Sequence, residues 1–226
     1  MNDAQSQPGP RPKLRAARPL VTALALLASF NAMAIEEPGF RVVERDGAFE
    51  LREYAPHLVA ETTVQADFDE AGSIAFRRLF RYISGANTTE QKIAMTAPVT
   101  QSRSAGEKIA MTAPVTQVAG NDGYTIAFVV PSKYTAETVP QPTDPTVRIR
   151  AVPGQLIAAW RYSGRWTPEN YQEHEADLRR AMAERGLKAT GAPTLARYNP
   201  PFMPAFLRRN EVLIPVEPTA AGARRP

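Results

Sequence analysis

The spacing of hydrophobic residues predicts two long helices. In the first, over residues 67–84, apolar side chains recur every three or four positions, acidic residues occupy the first turn, and a glycine follows the end. The second covers residues 167–185. It begins with Thr167, a favourable N-cap residue, has Pro168 at the first helical position, and is followed by Gly186.

Shorter segments alternate apolar and polar residues, which predicts strands. Residues 50–67 align with residues 148–165 at an offset of 98, and each copy contains two such segments around a proline-containing turn, with a helix after them. Three prolines mark a linker between the halves: Pro140, Pro142 and Pro145. Further strands are predicted at 40–45, 123–130, 194–198 and 211–216.

This order of elements predicts an α+β fold. Duplicated strand-strand-helix-strand units are expected to form a mostly antiparallel, distorted β-barrel flanked by two helices.

One segment, KIAMTAPVTQ, occurs twice without a mismatch, at residues 92–101 and 108–117. Each copy alternates like a strand, and a turn-forming stretch separates the two, so the pair predicts a hairpin. The proline in each copy cannot donate to a sheet ladder and indicates an edge or a strand end. Met95 and Met111 fall on the apolar face, which favours core packing over iron ligation.

The first 34 residues have the pattern of a secretory signal peptide. Basic residues precede an apolar run of 11 residues, and an A-x-A-like site ends at Ala34, which predicts Ile35 as the mature start. The run is too short to span a bilayer, so we expect a periplasmic or secreted protein without stable membrane insertion after cleavage. The alternative is an uncleaved anchor.

Net charge and composition narrow the function classes. The chain carries +4, of which +3 lies in residues 1–34, so the mature part has 4 − 3 = +1. This balance argues against nucleic acid as a partner. The chain has no cysteine, which leaves neither disulfides nor a thiolate nucleophile.

The sequence has two histidines and no recognisable catalytic or metal-binding motif, which predicts a protein that is not an enzyme. His174 shares a helix face with Tyr171 and Leu178, and this favours a structural role over a ligand role. His57 lies in a turn between two strands and is expected to be solvated. An enzyme acting on tetrapyrroles or small esters is the least favoured alternative.

The first helix has an apolar arc of about 240°, wider than packing on one sheet requires. Phe76 and Phe80 account for the extra width, and Arg77 and Arg81 border it. Such a patch suits a flat hydrophobic ligand that carries carboxylates. The alternative is that a loop of the same chain covers both rings, and the run YNPPFMPAFLRRN at 198–210 is the candidate cover.

Three segments, in order, resemble the SOUL haem-binding protein family: FRRLFRYISGAN at 76–87, the KIAMTAPVT motif, and YNPP…RRNEV at 198–212. The resemblance covers roughly residues 40–216, and the doubled motif is similar to an exported bacterial branch of the family. Together with the signal-peptide pattern and the end of the chain after Glu217, it predicts a signal peptide at 1–34, a SOUL-like domain at 35–217 and a disordered tail at 218–226. It also implies a distorted barrel of eight or nine strands with two helices.

The resemblance further implies non-catalytic binding of haem or related tetrapyrroles at an open hydrophobic surface. Some relatives carry a histidine, proposed as an iron ligand, where this chain has Glu53. The remaining candidate iron ligands are His174 and Met203. The site residues carried over from the family are Ser73, Phe76, Phe80, Arg81 and Met203, to which the sequence pattern adds Arg77 and Phe206.

A second hypothesis gives the same fold a different role. It is a small-molecule-sensing or protein-interaction module that binds no haem, with its partner unknown.

Overall fold

The computed structural model describes residues 35–88, 106–121 and 123–218. The predicted signal peptide, the first KIAMTAPVTQ copy and nearly all of the predicted tail lie outside these residues. The elements in chain order are β1 (Phe40–Asp46), β2 (Phe49–Tyr54), β3 (His57–Val64), α1 (Phe68–Ile83), β4 (Asn87–Thr88), β5 (Val115–Gly120), β6 (Gly123–Val129), β7 (Gln141–Pro142), β8 (Arg148–Val152), β9 (Gln155–Tyr162), α2 (Pro168–Glu184), β10 (Thr194–Arg197), a 3₁₀ turn (Ala205–Leu207) and β11 (Asn210–Pro215).

Nine strands form one curled sheet in the order β1-β2-β9-β11-β10-β5-β6-β3-β8, and β4 pairs with β7 beside it. All of these strand pairs are antiparallel. α1 packs on β3 and β6, and α2 packs on β9 and β11. The predicted α+β class, with two helices against a curled antiparallel sheet, is confirmed.

The two halves of the chain place similar elements at similar positions. β3 and β9 each have eight residues and begin 98 residues apart, at His57 and Gln155. β3 of the first half pairs with β8 of the second half, and β9 of the second half pairs with β2 of the first. The predicted two-unit layout agrees with these positions, while the duplication itself stays a prediction.

Local sequence signals account for the helix ends. The Thr167 side chain accepts a hydrogen bond from the backbone N–H of Asn170 at 3.3 Å, with Pro168 at the first helical position. Gly186 has φ +63°, a left-handed conformation that glycine adopts without strain after a helix. Asp67 occupies the N-cap of α1 without a side-chain capping bond. Both predicted helices are therefore confirmed.

Each helix covers its own hydrophobic cluster. The buried face of α1 contributes Ala75, Leu79 and Tyr82 to a cluster with Phe128 of β6. The buried face of α2 contributes Leu178 to a second cluster with residues of β2, β9, β10 and β11. Within the described residues, no helix is long and apolar enough to cross a membrane.

The proline-rich segment in the middle of the chain, predicted as a linker between the halves, is packed against the rest of the fold. Val139 and Val147 are buried at its two ends, and β7 between them pairs with β4. The Tyr82 hydroxyl donates a hydrogen bond to the Pro140 carbonyl at 2.8 Å. The segment therefore packs against the C-terminal half of α1.

The second KIAMTAPVTQ copy is only partly a strand. β5 begins at Val115, directly after the proline, as a strand end predicts. Before it, the Ile109 N–H bonds to the Ile83 carbonyl at 2.8 Å, so the backbone is satisfied by the end of α1 rather than by a strand partner. Met111 is 37% exposed, and its predicted place in the core is wrong.

Removing one copy of the repeat is expected to preserve the fold. Because the copies are identical, deletion of residues 102–117 and deletion of residues 92–107 give the same polypeptide. The shortened chain keeps the sequence of β5. In it, two residues connect Thr88 to a glutamine that takes the place of Glu107. In the intact protein the backbone of Glu107 forms hydrogen bonds with the side chain of Asn87. Two-residue loops are common in hairpins. Thermal unfolding followed by circular dichroism should remain cooperative; loss of cooperative unfolding would show that both copies are required.

Candidate functional site

Two phenylalanine rings form an exposed aromatic face on α1. Phe76 and Phe80 are 37% and 48% exposed, and their rings stack with centroids 5.8 Å apart and planes inclined by 13°. The Phe76 ring also packs edge-to-face with the buried Phe128 ring, and the two ring centroids are 5.5 Å apart. The pair is therefore held by the core on one side and open to solvent on the other.

An open groove of about 510 Å³ lies over the outer side of α1. Its volume is in the range of small-molecule sites. Among the described residues, the groove is lined by Ile74, Phe76, Arg77, Arg78, Phe80 and Arg81. Four predicted site residues therefore meet in one groove. The sequence did not single out Ile74 or Arg78; the i+4 position of Arg78 from Ile74 is the signal that points to it.

The guanidinium groups around this groove differ in how they are bound. Arg78 donates to the Thr62 hydroxyl and the Thr63 carbonyl at 3.3 and 3.4 Å, which ties it to β3. Arg81 lies 3.7 Å from the carboxylate of Asp144. Within the described chain, no carboxylate lies within 4.0 Å of the Arg77 side chain. Among the described residues, Arg77 is therefore the groove arginine with neither a side-chain hydrogen bond nor an ion pair.

Asp144 partly neutralises this end of the groove. Its carboxylate accepts hydrogen bonds from the backbone and hydroxyl of Thr146 at 2.9 and 2.6 Å. These bonds, followed by the charges of Arg81 and Arg78, hold the pKa of Asp144 below its usual value. The carboxylate thus stays ionised at neutral pH and offsets the charge of Arg81.

Ser73 is exposed one turn before Arg77, outside the groove lining. Its hydroxyl donates to the carbonyl of Asp69 at 3.2 Å. This bond to its own helix leaves the side chain close to the helix surface. A ligand role for Ser73 stays a prediction.

The C-terminal loop, residues 198–209, does not line the groove on α1. Its backbone bonds to Gly164, and Arg208 donates to the carbonyls of Met203 and Pro201 at 2.8 and 2.6 Å while stacking 4.3 Å from the Trp166 ring. The loop is thus held near the start of α2. Because Phe76 and Phe80 remain exposed, the interpretation of this loop as their cover is wrong.

Apolar side chains of this loop are themselves exposed. Phe202, Phe206 and Leu207 are 85%, 75% and 59% exposed. Met203 is partly buried. Binding roles for Met203 and Phe206 stay predictions, since neither side chain lines the groove.

His174 packs inside the fold rather than at the groove. Its ring lies 4.3 Å from that of Tyr162, and its Nδ1 is 3.4 Å from the carboxylate of Asp177. Among the described residues, no three His, Cys, Asp or Glu side chains come together as a metal site. This geometry agrees with the structural role that the sequence favoured for His174.

Comparison with known sequences identifies the family. The family model described as SOUL heme-binding protein matches residues 35–106 and 100–215. This chain belongs to the SOUL family. The two matched ranges overlap at residues 100–106; the first range contains the first KIAMTAPVTQ copy and the second range contains the second copy.

Individual relatives support the same assignment. The SOUL protein is 31% identical over 171 residues to Heme-binding protein 1 of Xenopus tropicalis, covering 75% of this chain and 84% of the relative. It is 29% identical over 160 residues to Heme-binding protein 2 of Homo sapiens, covering 69% of this chain and 73% of that relative. The crystal structure of the EcmrR C-terminal domain has a TM-score of 0.54 at 10% identity, covering 79% of this chain and 98% of that domain, and shows a shared fold alone.

Proposed function

We propose that this SOUL protein binds and carries haem or a related tetrapyrrole on the outer side of α1 and catalyses no reaction. The observation that carries the proposal is the exposed, stacked pair of Phe76 and Phe80 in a groove bordered by arginines. Family membership and the names of the haem-binding relatives support a tetrapyrrole over other flat ligands.

The chemistry of the groove fits both parts of such a ligand. A macrocycle can stack on the two phenylalanine rings, and covering their exposed area removes apolar surface from water. The carboxylates of the ligand suit Arg77 and, less strongly because Asp144 partly offsets its charge, Arg81, since guanidinium binds carboxylate in a bidentate manner. None of the described lining residues is a general base or a nucleophile, which supports carriage rather than catalysis.

Iron ligation plays little part in this proposal. The described lining of the groove contains no histidine, methionine, tyrosine or cysteine. Met203 would approach the ligand only if the C-terminal loop moved toward α1, and Phe206, which is 75% exposed, would then gain a contact. His174 would have to leave its packing on Tyr162. We therefore assign most of the affinity to macrocycle contacts.

Titration of the mature protein with haemin tests the proposal. We expect a saturable shift of the Soret band at micromolar haemin, with quenching of the fluorescence of Trp160 and Trp166. His57→Ala should bind as the wild type does, because His57 lies on β3 and outside the groove. Absence of both optical changes in the folded wild-type protein would rule out haem carriage.

We also propose export to the periplasm or the medium, with cleavage after Ala34, as in an exported bacterial branch of the family. The basic and apolar pattern of residues 1–34 supports this, and so does a family match that begins at residue 35. Mass spectrometry of the protein recovered from an expressing bacterium should find Ile35 at the N-terminus. An N-terminus upstream of residue 35 would contradict the cleavage.

A further inference from the structure

Arg197 at the end of β10 is a partly buried cation without a counter-ion. Its guanidinium lies 5.6 Å from the ring of Phe68 on α1 and 5.1 Å from that of Trp166 just before α2. Nη2 donates to the side-chain oxygen of Gln117 at 2.7 Å. Nε is buried without a hydrogen-bond partner, and among the described residues no carboxylate lies within 4.0 Å of the group. A buried donor without a partner needs an explanation.

The charge of Arg197 persists at neutral pH despite this environment. Burial lowers its pKa to about 10, and the charge of Asp69, on the first turn of α1, opposes that effect without forming an ion pair. The side chain is therefore still protonated at pH 7, with its positive charge uncompensated. An anionic group placed beside it would gain a strong, charge-assisted hydrogen bond.

Gly72 connects this cation to the aromatic face. A Cβ atom at position 72 would lie 3.2 Å from Nη1 of Arg197, so the glycine leaves room for the guanidinium. Glycine is otherwise unfavourable inside a helix. Phe76 follows Gly72 by four residues, or about 6 Å along the helix axis. Measured along the helix axis, Arg197 therefore lies about one turn before Phe76, next to the described lining of the groove rather than within it.

We infer that Arg197 binds a carboxylate of the ligand that lies on Phe76 and Phe80. The inference rests on the proposed function and adds an orientation to it: the carboxylate edge of the macrocycle faces the N-terminal half of α1. The other end of the groove is a weaker choice, because Asp144 already offsets the charge of Arg81. Gln117, the last residue of the repeated segment, holds the guanidinium in place.

The test compares haemin with haemin dimethyl ester, which has the same macrocycle without carboxylates. We expect Arg197→Gln to weaken haemin binding about tenfold, as for one lost charge-assisted hydrogen bond, and to leave ester binding within about twofold. Arg208→Gln is the matched control, because this second arginine on Trp166 is bonded to loop carbonyls. It should change the two affinities by the same factor. Equal losses for both ligands in Arg197→Gln would overturn the inference.

Gln117→Glu provides a second route if Arg197→Gln does not fold. The new carboxylate would stand 2.7 Å from Nη2 and neutralise Arg197 in place. We expect the same tenfold selective loss of haemin affinity, and an unchanged haemin-to-ester ratio would overturn the inference. A wild-type protein that binds neither ligand would instead reject the proposed function, so the two failures are distinguishable.

Discussion

Arg52→Met is expected to lower the free energy of unfolding by about 3–5 kcal/mol, because it leaves a buried carboxylate without its main partner. Arg52 is 2% exposed and Glu211 is fully buried. Two nitrogens of Arg52 donate to the two oxygens of Glu211, at 2.5 and 2.9 Å. The hydroxyl of Tyr198 and the guanidinium of Arg209 bind the same carboxylate. Urea denaturation at pH 7 measures the loss.

Two further variants separate the buried pair from ordinary surface charge. Arg52→Met combined with Glu211→Leu should recover at least half of the loss, since it removes the stranded charge. Arg179→Met, which breaks an exposed ion pair with Glu175 on α2, should change stability by only about 0.5 kcal/mol. A loss below about 1 kcal/mol in Arg52→Met would contradict the structural role of the pair.

The same pair gives stability a defined pH dependence. Burial raises the pKa of Glu211, but the hydrogen bond and charge of Arg52 outweigh burial and hold it below its ordinary value of 4.5. A depressed carboxyl pKa stabilises the fold above the unfolded value, and this stabilisation is lost as the pH falls through the folded value. Wild-type stability should therefore decline below about pH 4.5. In Arg52→Met this decline should be smaller or reversed, because protonation of Glu211 then removes a buried carboxylate that has lost its main partner.

Phe80→Ala is expected to weaken haemin binding about 30-fold. Phe80 is 48% exposed, and a bound macrocycle would cover that half of the ring. A phenylalanine side chain buries about 150–250 Å², so the half that is lost corresponds to about 2 kcal/mol at about 25 cal/mol per Å². The Soret titration of the variant gives the change directly. Phe76→Leu should produce a smaller loss and keep the contact with Phe128.

Val43→Ala is the matched control for this prediction. Val43 is a 46% exposed apolar residue on β1, an edge strand at the opposite end of the sheet from β3 and β8. It should leave haemin affinity unchanged, and both variants should unfold at nearly the same temperature as the wild type. Equal effects of Phe80→Ala and Val43→Ala on haemin affinity would show that the ligand does not lie on α1.

Local chemistry explains why the elements could be predicted from the sequence. Thr167 and Gly186 determine the ends of α2 through their own capping and backbone conformation, without reference to distant residues. The strands on either side of the proline turns follow from alternation along one segment. The arc of α1 was too wide for one sheet, and this singled out Phe76 and Phe80, which the structure shows to be exposed.

The features that were missed depend on contacts between distant segments. The residues before β5 alternate like a strand, yet their backbone bonds to the end of α1, and Met111 is exposed as a result. Arg52 and Glu211 are 159 residues apart, so no local pattern shows that they pair. Arg197 likewise owes its environment to Phe68 on α1, Trp166 before α2 and Gln117 on β5, which are distant from it in the sequence.

Nuclear magnetic resonance with a diamagnetic gallium protoporphyrin tests the central claim most directly, because ring-current shifts report which residues face the macrocycle. We predict the largest shifts in α1, at Gly72, Phe76, Arg77 and Phe80. Residues of the opposite face of the sheet, where Val59, Ala127 and Val152 form a separate buried cluster, should hardly shift. Shifts centred on that cluster, with α1 unaffected, would contradict the placement of the ligand.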